Sequence, residues 1–258
     1  MPNVLALVNQ KGGVGKTTTC VNLAAFLARK GKKVLLLDID PQGNATSGLG
    51  FDKNELNMTV YDVLINEESF DSVVLDTGRK NLYIAPANIQ LAGAEIELVS
   101  VVSRETRLKK ALDQYKDNFD FVLMDCPPSL GLLTLNALTA ADAVLVPIQG
   151  EYYALEGVTQ LMETINLVKK SLNPALYIFG VIVTMFDSRT QLAHQVANEV
   201  KKYFGERVFR TIIPRNVRLS EAPSFGKSIL EYDIKSKGAE CYDSLAKEVI
   251  KRNAGLSR

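Results

Sequence analysis

Short apolar runs alternate with longer segments of helical periodicity along the whole chain. Most of the short runs are continuously apolar, which is typical of strands buried on both faces of a parallel sheet. The predicted strands are Val4–Val8, Lys33–Leu37, Leu82–Ala85, Phe121–Met124, Ala143–Pro147, Leu176–Thr184 and Val208–Ile213. The predicted helices, in which apolar residues recur every three or four positions, are Lys16–Arg29, Ser103–Tyr115, Tyr153–Lys170, Leu192–Phe204 and Ala239–Lys251.

This alternation predicts an α/β fold that is doubly wound, with a mostly parallel sheet flanked by helices. The chain contains no internal repeat, low-complexity linker or clear boundary in composition, so residues 1–258 are expected to form a single domain. The first helix should end at Gly31, because glycine readily adopts the left-handed conformation that closes a helix. The irregular stretch Gln42–Gly50 is predicted to be a loop at the rim where strands end, a usual place for functional residues.

The composition narrows the chemistry that such a fold could carry. The 258 residues include one histidine, His194, and three widely spaced cysteines. These numbers argue against a Ser-His-Asp hydrolase, a multi-histidine metal site and structural disulfides, and they indicate a reduced, cytoplasmic protein. No apolar run approaches the roughly 20 residues that cross a membrane, and the N-terminus lacks the features of a signal peptide.

The most specific motif is a glycine-rich loop between the first predicted strand and the first predicted helix. It consists of Lys11, Gly12, Gly13, Val14, Gly15, Lys16, Thr17 and Thr18. Glycines in such a loop let backbone N–H groups point at phosphate oxygens, and the helix N-terminus adds its positive dipole end. We therefore predict a phosphate-binding loop in which Lys16 contacts the β- and γ-phosphates and the Thr17 hydroxyl ligates Mg²⁺. A Rossmann loop fits poorly, since Thr18 stands where its third glycine would be.

Carboxylates end two of the predicted buried strands. Asp38 and Asp40 follow the second strand, and because side chains alternate along a strand they should share a face. One of them could reach the magnesium shell while the other orients the attacking water; Asp38 could instead cap the following loop. Asp125 closes the fourth strand, which is the pattern of a carboxylate that holds Mg²⁺ through water. Its neighbour Cys126 is predicted to be a small buried filler rather than a nucleophile.

The loop departs from the usual phosphate-binding pattern in one respect. That pattern has glycine where this chain has Gln10, and here a second lysine, Lys11, stands at the mouth of the loop. This arrangement resembles the deviant Walker A motif of the ParA/MinD group of ATPases. Further tracts resemble chromosomal ParA proteins of the Soj type: Asp38–Asn44, Gln90–Leu98, Asp125–Pro128, Gln149–Gly157 and Ile213–Arg218.

The resemblance implies a dimeric ATPase that acts on DNA. It implies that Lys11 reaches across an ATP-dependent homodimer to the other subunit's nucleotide, where a cation supplied in trans stabilises the transferring phosphoryl group. It favours Asp40 for orienting the attacking water and for the magnesium shell, and it places Pro214 and Asn216 beside the adenine. It also implies ATP and Mg²⁺ as cofactors and weak intrinsic hydrolysis. The ATP dimer would bind nonspecific DNA and be released when a ParB-type centromere-binding protein stimulates hydrolysis, during chromosome or plasmid partitioning.

The charge distribution is compatible with DNA binding, although the formal net charge is only +1. Residues 1–184 carry a net −4 and residues 185–258 a net +5, so the basic excess lies in the last third of the chain. Sequence-independent binding requires only contacts with backbone phosphates, and these contacts add up in a salt-dependent way. Arg189, which follows the sixth predicted strand at a loop–helix junction, and Arg218 are the candidate DNA contacts. We therefore expect a nucleoid-associated protein.

Three other classes compete with this interpretation. A MinD-like membrane-associated ATPase for division-site placement would need a basic amphipathic helix at the C-terminus that is free to bind lipid. The apolar stripe of Ala239–Lys251 is instead expected to pack on the sheet, leaving Asn253–Arg258 as a tail, so no stable membrane association is expected. An electron-transfer ATPase resembling the nitrogenase iron protein would need several cysteine thiolates, and only Cys126 is a candidate. A P-loop protein without hydrolysis is disfavoured by the two lysines and the carboxylates.

Overall fold

The computed structural model describes residues 3–150 and 154–256. The strands are β1 (Asn3–Leu7), β2 (Val34–Asp38), β3 (Leu75–Arg79), β4 (Leu82–Ala85), β5 (Phe121–Asp125), β6 (Ala143–Gln149) and β7 (Tyr177–Thr184). The helices are α1 (Lys16–Arg29), α2 (Asn44–Gly48), α3 (Val60–Ile65), α4 (Phe70–Val73), α5 (Leu91–Glu97), α6 (Arg107–Asp113), α7 (Leu132–Ala140), α8 (Ala154–Ser171), α9 (Gln191–Phe204), α10 (Val217–Glu221), α11 (Ile229–Tyr232) and α12 (Lys237–Leu256).

The strands form one sheet in the order β3-β4-β2-β5-β1-β6-β7. The pairs in it are parallel except for the antiparallel pair β3–β4. Two buried apolar clusters cover its two faces. In β1, Val4 and Ala6 belong to one cluster, while Leu5 and Leu7 belong to the other. Because the strand is buried on both faces, its sequence is continuously apolar. The predicted doubly wound α/β fold is therefore confirmed.

The topology brings three strand ends together. In the register of the sheet, Asp125 at the end of β5 pairs with Leu7 of β1 on one side and with Asp38 of β2 on the other. Because the three strands are parallel, their carboxyl ends meet at the same edge, where ligands bind in open α/β sheets. The loop that follows β1 therefore begins beside two of the carboxylates that the sequence singled out.

One predicted strand was wrong, and one strand of the sheet was not predicted. Val208–Ile213 forms no continuous ladder: it makes one isolated bridge to β7, and the N–H groups of Phe209 and Ile213 donate to β7 carbonyls. The next residue, Pro214, has no N–H to continue the pairing. Conversely, β3 was not predicted, because it is a polar edge strand whose residues are half-buried or exposed and which contains Gly78 at φ 71°. Apolar patterning therefore missed the edge strand and overextended the apolar segment beside β7.

The helices agree with the prediction most closely where apolar periodicity is strong. α1 has the predicted bounds, and Gly31 follows it with a φ of 82°.

The predicted loop Gln42–Gly50 was wrong in part, since it contains α2. The predicted helix Ser103–Tyr115 is a 3₁₀ turn followed by α6, and the start of the third predicted helix, Tyr153, lies outside the described residues. α7 was not predicted because it is apolar around most of its circumference and largely buried, which leaves no polar face to define a period.

The C-terminal helix α12 packs against α1. Tyr242 is fully buried there, and its hydroxyl lies 3.2 Å from the Thr19 hydroxyl. Leu245 and Val249 are buried in the same apolar cluster, which confirms that the predicted stripe is covered by the body of the protein. The predicted tail was wrong in its first part, because Asn253–Leu256 continues the helix. In the described parts of the chain, no helix is long and apolar enough to cross a membrane.

Candidate nucleotide site

The glycine-rich loop is held open at the carboxyl end of β1. Gly13 and Gly15 have φ angles of 73° and 82°, a conformation that turns successive N–H groups toward one side and that favours glycine. Gly15 is the N-cap of α1 and provides no side chain, so the first N–H groups of this helix are not capped by it. The Thr184 hydroxyl donates to the Val14 carbonyl at 2.8 Å and so ties the loop to the end of β7. The loop thus has the shape of a phosphate cradle.

Lys16 lies across this cradle. Its side chain is buried, and its ammonium group donates to the Lys11 carbonyl at 3.2 Å. Burial lowers the pKa of Lys16, while the nearby carboxylates of Asp125 and Asp40 act in the opposite direction. A phosphate group in the loop would add further negative charge beside this partly desolvated cation. The structure therefore places Lys16 where the sequence predicts the phosphate-binding lysine.

The carboxylate of Asp125 is completely buried, close to the Thr17 hydroxyl and the Lys16 ammonium group. Within the described ranges, neither of its side-chain oxygens accepts a hydrogen bond. Burial and the neighbouring charge of Asp38 raise the pKa of Asp125 well above its usual value, although the Thr17 hydroxyl and Lys16 act to lower it. A buried carboxylate with unsatisfied oxygens fits a cation.

The side-chain oxygens of Thr17, Asp40 and Asp125 suit Mg²⁺ better than a metal ion that is bound by protein side chains alone. Among residues 3–150 and 154–256 there is no group of three or more His, Cys, Asp or Glu side chains placed to hold a metal ion. Mg²⁺ keeps several waters and is usually bound through one or two carboxylates together with substrate phosphates. Thr17, with Asp125 and Asp40 acting through water, would supply this chain's part of such a shell.

Asp38 organises the loop after β2 rather than facing the cradle. One of its carboxylate oxygens accepts hydrogen bonds from the N–H and the hydroxyl of Thr46, at 2.8 and 2.7 Å, and the other accepts one from the Asp40 N–H at 3.2 Å. Complete burial raises the pKa of Asp38 to about 6, and the bonds from Thr46 act in the opposite direction. The interpretation of Asp38 as a loop cap is therefore the one that the contacts favour.

Asp40 remains the carboxylate available to the cradle. It is almost completely buried, and one oxygen accepts a hydrogen bond from the Gln42 N–H at 2.9 Å. It is close enough to Lys16 to raise the pKa of that ammonium group. The N–H of Gly43 donates to the Asp40 carbonyl at 2.8 Å, so the turn that carries Asp40 is closed by a backbone bond. Its position is compatible with the water-orienting role that the sequence predicts.

Thr46 is a residue of the site that the sequence analysis missed. It donates to Asp38, and its hydroxyl also accepts from the Ala87 N–H at 3.0 Å. It therefore links the loop after β2 to the segment after β4. Thr184, which ties down the phosphate loop, was also missed. Like Asp38 and Asp125, Thr184 is a polar residue at the end of an apolar strand, and this pattern in the sequence could have identified it.

Thr46→Val should destabilise the protein by about 1–3 kcal/mol, because the buried Asp38 carboxylate loses its hydroxyl donor. The hydroxyl stabilises the ionised carboxylate, which predominates only above the folded pKa of about 6. The destabilisation should therefore be larger at pH 8 than at pH 5, as measured by urea unfolding. Ser47→Ala, which removes a neighbouring hydroxyl that donates to backbone carbonyls, is the control. Equal destabilisation by both substitutions would show that the hydrogen bond from Thr46 to Asp38 contributes no more to stability than the bonds from Ser47 to backbone carbonyls.

Pro214 and Asn216 lie in a surface depression of about 450 Å³ beside the phosphate loop. The depression also includes Phe186 and Arg189, from the segment that follows β7. Met185 in this segment is adjacent to Gly15, which places the depression next to the cradle. The side-chain oxygen of Asn216 accepts from the Arg218 N–H at 2.9 Å and caps α10. Asn216 therefore has a structural role in addition to the predicted one.

The two candidate DNA contacts lie on the surface and are paired with carboxylates. The Arg189 side chain is 85% exposed and makes a bidentate pair with Asp187, at 2.9 and 2.7 Å. Arg218 contacts Glu221 at 2.9 Å and Asp233 at 3.7 Å. A DNA phosphate would have to compete with these carboxylates. Arg189 also lies at the loop–helix junction that the sequence predicts, one residue before the N-cap of α9.

The cysteines do not form a cluster site. Cys20 and Cys126 are buried, and Cys241 is half-buried on α12. Burial, reinforced by the charge of Asp125, raises the pKa of Cys126 well above its usual value, so the thiol form is favoured over the thiolate that an iron–sulfur cluster requires. The prediction that Cys126 is buried is confirmed.

The glycine-rich loop between β1 and α1, together with carboxylates at the ends of β2 and β5, defines a P-loop nucleoside triphosphatase. Residues 2–178 match the AAA domain family. The chain is 60% identical over 249 residues to the sporulation initiation inhibitor protein Soj of Bacillus subtilis, covering 96% of this chain and 98% of that protein. It is 53% identical to the chromosome-partitioning ATPase Soj of Treponema pallidum, covering 98% and 99%. The chain therefore belongs to the Soj/ParA family of chromosome-partitioning ATPases.

A solved structure extends the similarity to the bound nucleotide. Cobyrinic acid a,c-diamide synthase from Mycobacterium smegmatis, with ADP and magnesium bound, superposes with a TM-score of 0.87 at 40% identity, covering 100% of this chain and 97% of that chain. Its sequence is less similar to this chain than those of the two Soj proteins are. The likeness supports the fold and the binding of a magnesium nucleotide, whereas the family assignment rests on the Soj proteins.

Proposed function

We propose that this partitioning ATPase is a switch that dimerises when it binds ATP, holds nonspecific DNA as a dimer, and is released when a partner stimulates hydrolysis. The observation that carries the proposal is the buried Lys16 beside the buried carboxylate of Asp125, whose oxygens accept no hydrogen bond within the described ranges, with a second lysine, Lys11, at the same loop. A triphosphate would meet the ammonium group of Lys16, and Mg²⁺ would meet the carboxylate of Asp125. The direct test compares dimerisation and DNA binding in ATP and in ADP.

In the proposed mechanism, the residues of the phosphate loop position ATP and its charges. Backbone N–H groups of residues 12–18 and the ammonium of Lys16 hold the β- and γ-phosphates, while Pro214 and Asn216 lie beside the adenine. Thr17 and, through water, Asp125 and Asp40 would hold Mg²⁺, which would supply positive charge beside the phosphate oxygens.

Asp40 orients the attacking water. Lys11 of the other subunit supplies a cation to the γ-phosphate, so the site is complete only in the dimer. Slow intrinsic turnover follows, because the γ-phosphate lacks this charge until two subunits meet.

DNA binding is proposed to use the basic last third of the chain. Arg189 and Arg218 are exposed, and a symmetric dimer doubles the number of cations that a DNA backbone can meet. Neither residue requires a recognition helix in a groove, since phosphate contacts carry no sequence information. The protein would then be distributed over the nucleoid in the cytoplasm. Release follows when a ParB-type centromere-binding protein stimulates hydrolysis and the dimer separates.

Arg189→Ala should weaken DNA binding to a similar extent on unrelated sequences. It should also reduce the slope of log affinity against log salt by about one for each DNA phosphate that the arginine neutralises in the wild type. Lys109→Ala removes another exposed cation that is paired with a carboxylate, Asp113, and serves as the control. ATP-dependent dimerisation should be unchanged in both variants. If Arg189→Ala abolished dimerisation, the residue would belong to the protein interface. If it weakened ATP binding, Arg189 would instead contribute to nucleotide binding, through the depression that it shares with Pro214.

The packing of α12 argues against the MinD-like alternative. A membrane anchor needs an amphipathic helix whose apolar face is free, and the apolar face of α12 is covered by α1 and its neighbours. We therefore propose that the protein has no stable membrane association. Co-sedimentation with anionic liposomes in ATP should leave it in the supernatant, and recovery in the pellet would revive the alternative.

A further inference from the structure

Four large apolar side chains are exposed within one short stretch around α5. Ile89, Ile96, Val99 and Val102 are 68%, 77%, 59% and 87% exposed, and we call them the α5 ridge. Apolar side chains exposed singly are common on protein surfaces, whereas several in one stretch indicate an interaction site. Leu98, between the second and third of them, is fully buried, so α5 and the turn after it are anchored to the body while the ridge faces outward.

The α5 ridge is connected to the loops that carry Asp38 and Asp125. On one side, the Glu95 carboxylate of α5 lies against Gly131, which ends the segment leading from Asp125 to α7. On the other side, the chain that enters α5 is held by the hydrogen bond from the Ala87 N–H to Thr46, whose hydroxyl donates to Asp38. A molecule that bound the ridge would therefore contact the element that bridges the loops after β2 and β5.

The charge around the ridge favours a cationic partner. Glu95 and Glu97 lie on α5 itself, and one oxygen of Glu95 is buried without a hydrogen-bond partner among the described residues. Glu97 accepts from the Tyr61 hydroxyl but has no cation in reach among them. The guanidinium of Arg104 donates to the Val99 carbonyl at 2.6 Å and is paired with Glu105 at 3.0 Å. The negative charge without a cation beside the ridge, among the described residues, is therefore that of the exposed Glu97.

We propose that the α5 ridge is the docking surface for the partner that stimulates hydrolysis, an inference that rests on the proposed function. Its occupant is a short amphipathic segment of another protein, with an apolar face that covers Ile96 and Val99 and at least one Lys or Arg that pairs with Glu95 or Glu97. A second copy of this chain fits less well, because two ridges facing each other across a two-fold axis would bring carboxylates of the same sign together. Docking there would adjust the loops that hold Asp38 and Asp125.

The test uses the full-length protein and the ParB-type protein encoded in the same genome as the probe. The double substitution Ile96→Ser, Val99→Ser should raise the concentration of probe that half-maximally stimulates hydrolysis by about tenfold or more, as expected when two apolar anchors are removed. Leu167→Ser, which removes an equally exposed apolar side chain on α8, should change it less than about twofold. Basal hydrolysis, ATP-dependent dimerisation and DNA binding should be unchanged in both variants.

A charge reversal provides an independent measurement. Glu97→Lys should weaken stimulation severalfold, with a larger effect at low salt, whereas Glu163→Lys on the exposed face of α8 should not. Unaltered stimulation of the double variant would overturn the inference, whereas a wild-type protein that dimerises but is not stimulated by the probe would contradict the proposed function. Loss of dimerisation in the double variant would also overturn the inference, by showing that a second copy covers the ridge. Failure of the wild type to dimerise or bind DNA with ATP would instead contradict the proposed function.

Discussion

Lys16→Ala is expected to lower ATP hydrolysis by at least about 100-fold, the usual cost of removing one preorganised electrostatic contact to a reacting group. The physical reason is the position of Lys16, which is buried in the cradle with its ammonium group hydrogen-bonded to the Lys11 carbonyl. Lys11 would not replace it at the β- and γ-phosphates of its own subunit, because Lys11 is proposed to act across the dimer. ATP affinity, measured with a fluorescent analogue, should fall together with turnover.

Lys11→Ala is the matched control for this prediction. It removes a lysine of the same loop, but one that is proposed to act on the other subunit's nucleotide. The variant should still bind ATP with an affinity close to that of the wild type, while dimer-dependent hydrolysis is abolished. An identical decrease of ATP affinity in both variants would contradict the division of roles between the two lysines, since both would then be contacts to the subunit's own nucleotide.

Asp40→Ala is expected to produce an ATP-bound dimer that remains on DNA. Hydrolysis should fall by about 10²–10⁴-fold, the contribution of a positioned proton acceptor, while the phosphate cradle and Lys16 stay in place. The ATP-dependent dimer should therefore persist in size-exclusion chromatography, and DNA binding should no longer decay as ATP is consumed. A variant that failed to dimerise in ATP would show that Asp40 is needed to bind the nucleotide rather than to activate water.

Asp38→Asn separates this role from that of the neighbouring carboxylate. Asp38 is tied to both donors of Thr46, so its substitution should lower the free energy of unfolding and disturb the loop. Asp40→Ala should leave the free energy of unfolding closer to the wild-type value, because the Asp40 side chain accepts only one hydrogen bond among the described residues, from the Gln42 N–H. A DNA-trapped dimer with Asp38→Asn and not with Asp40→Ala would exchange the two assignments.

The phosphate site could be predicted because its determinants are local. The glycines, Lys16 and Thr17 are consecutive, and their function requires only that a strand precede them and a helix follow. The positions of Asp38 and Asp125 beside them follow from the rule that parallel strands end at one edge of a sheet. The order of the strands, which sets β5 between β1 and β2, came only from the structure.

The rest of the site depends on contacts between residues far apart in the chain. The contacts of Asp38 with the N–H and the hydroxyl of Thr46 are what favour Asp40 over Asp38 for the proposed role at the nucleotide. Alternation along a strand places both aspartates on one face and cannot distinguish them. Likewise, Arg189 pairs with Asp187 because of the conformation of the loop that carries both residues. The net charge of residues 185–258 does not predict this pair.

The most direct test of the central proposal is ATP-dependent dimerisation measured with and without nonspecific DNA across a salt series. The proposal predicts monomers in ADP and dimers in ATP at all salt concentrations that leave the protein folded. It also predicts DNA binding by the ATP form alone, with an affinity that falls linearly on a log–log plot as salt rises. Equal DNA affinity of the ATP and ADP forms, or an ATP form that remains monomeric while it hydrolyses ATP, would contradict it.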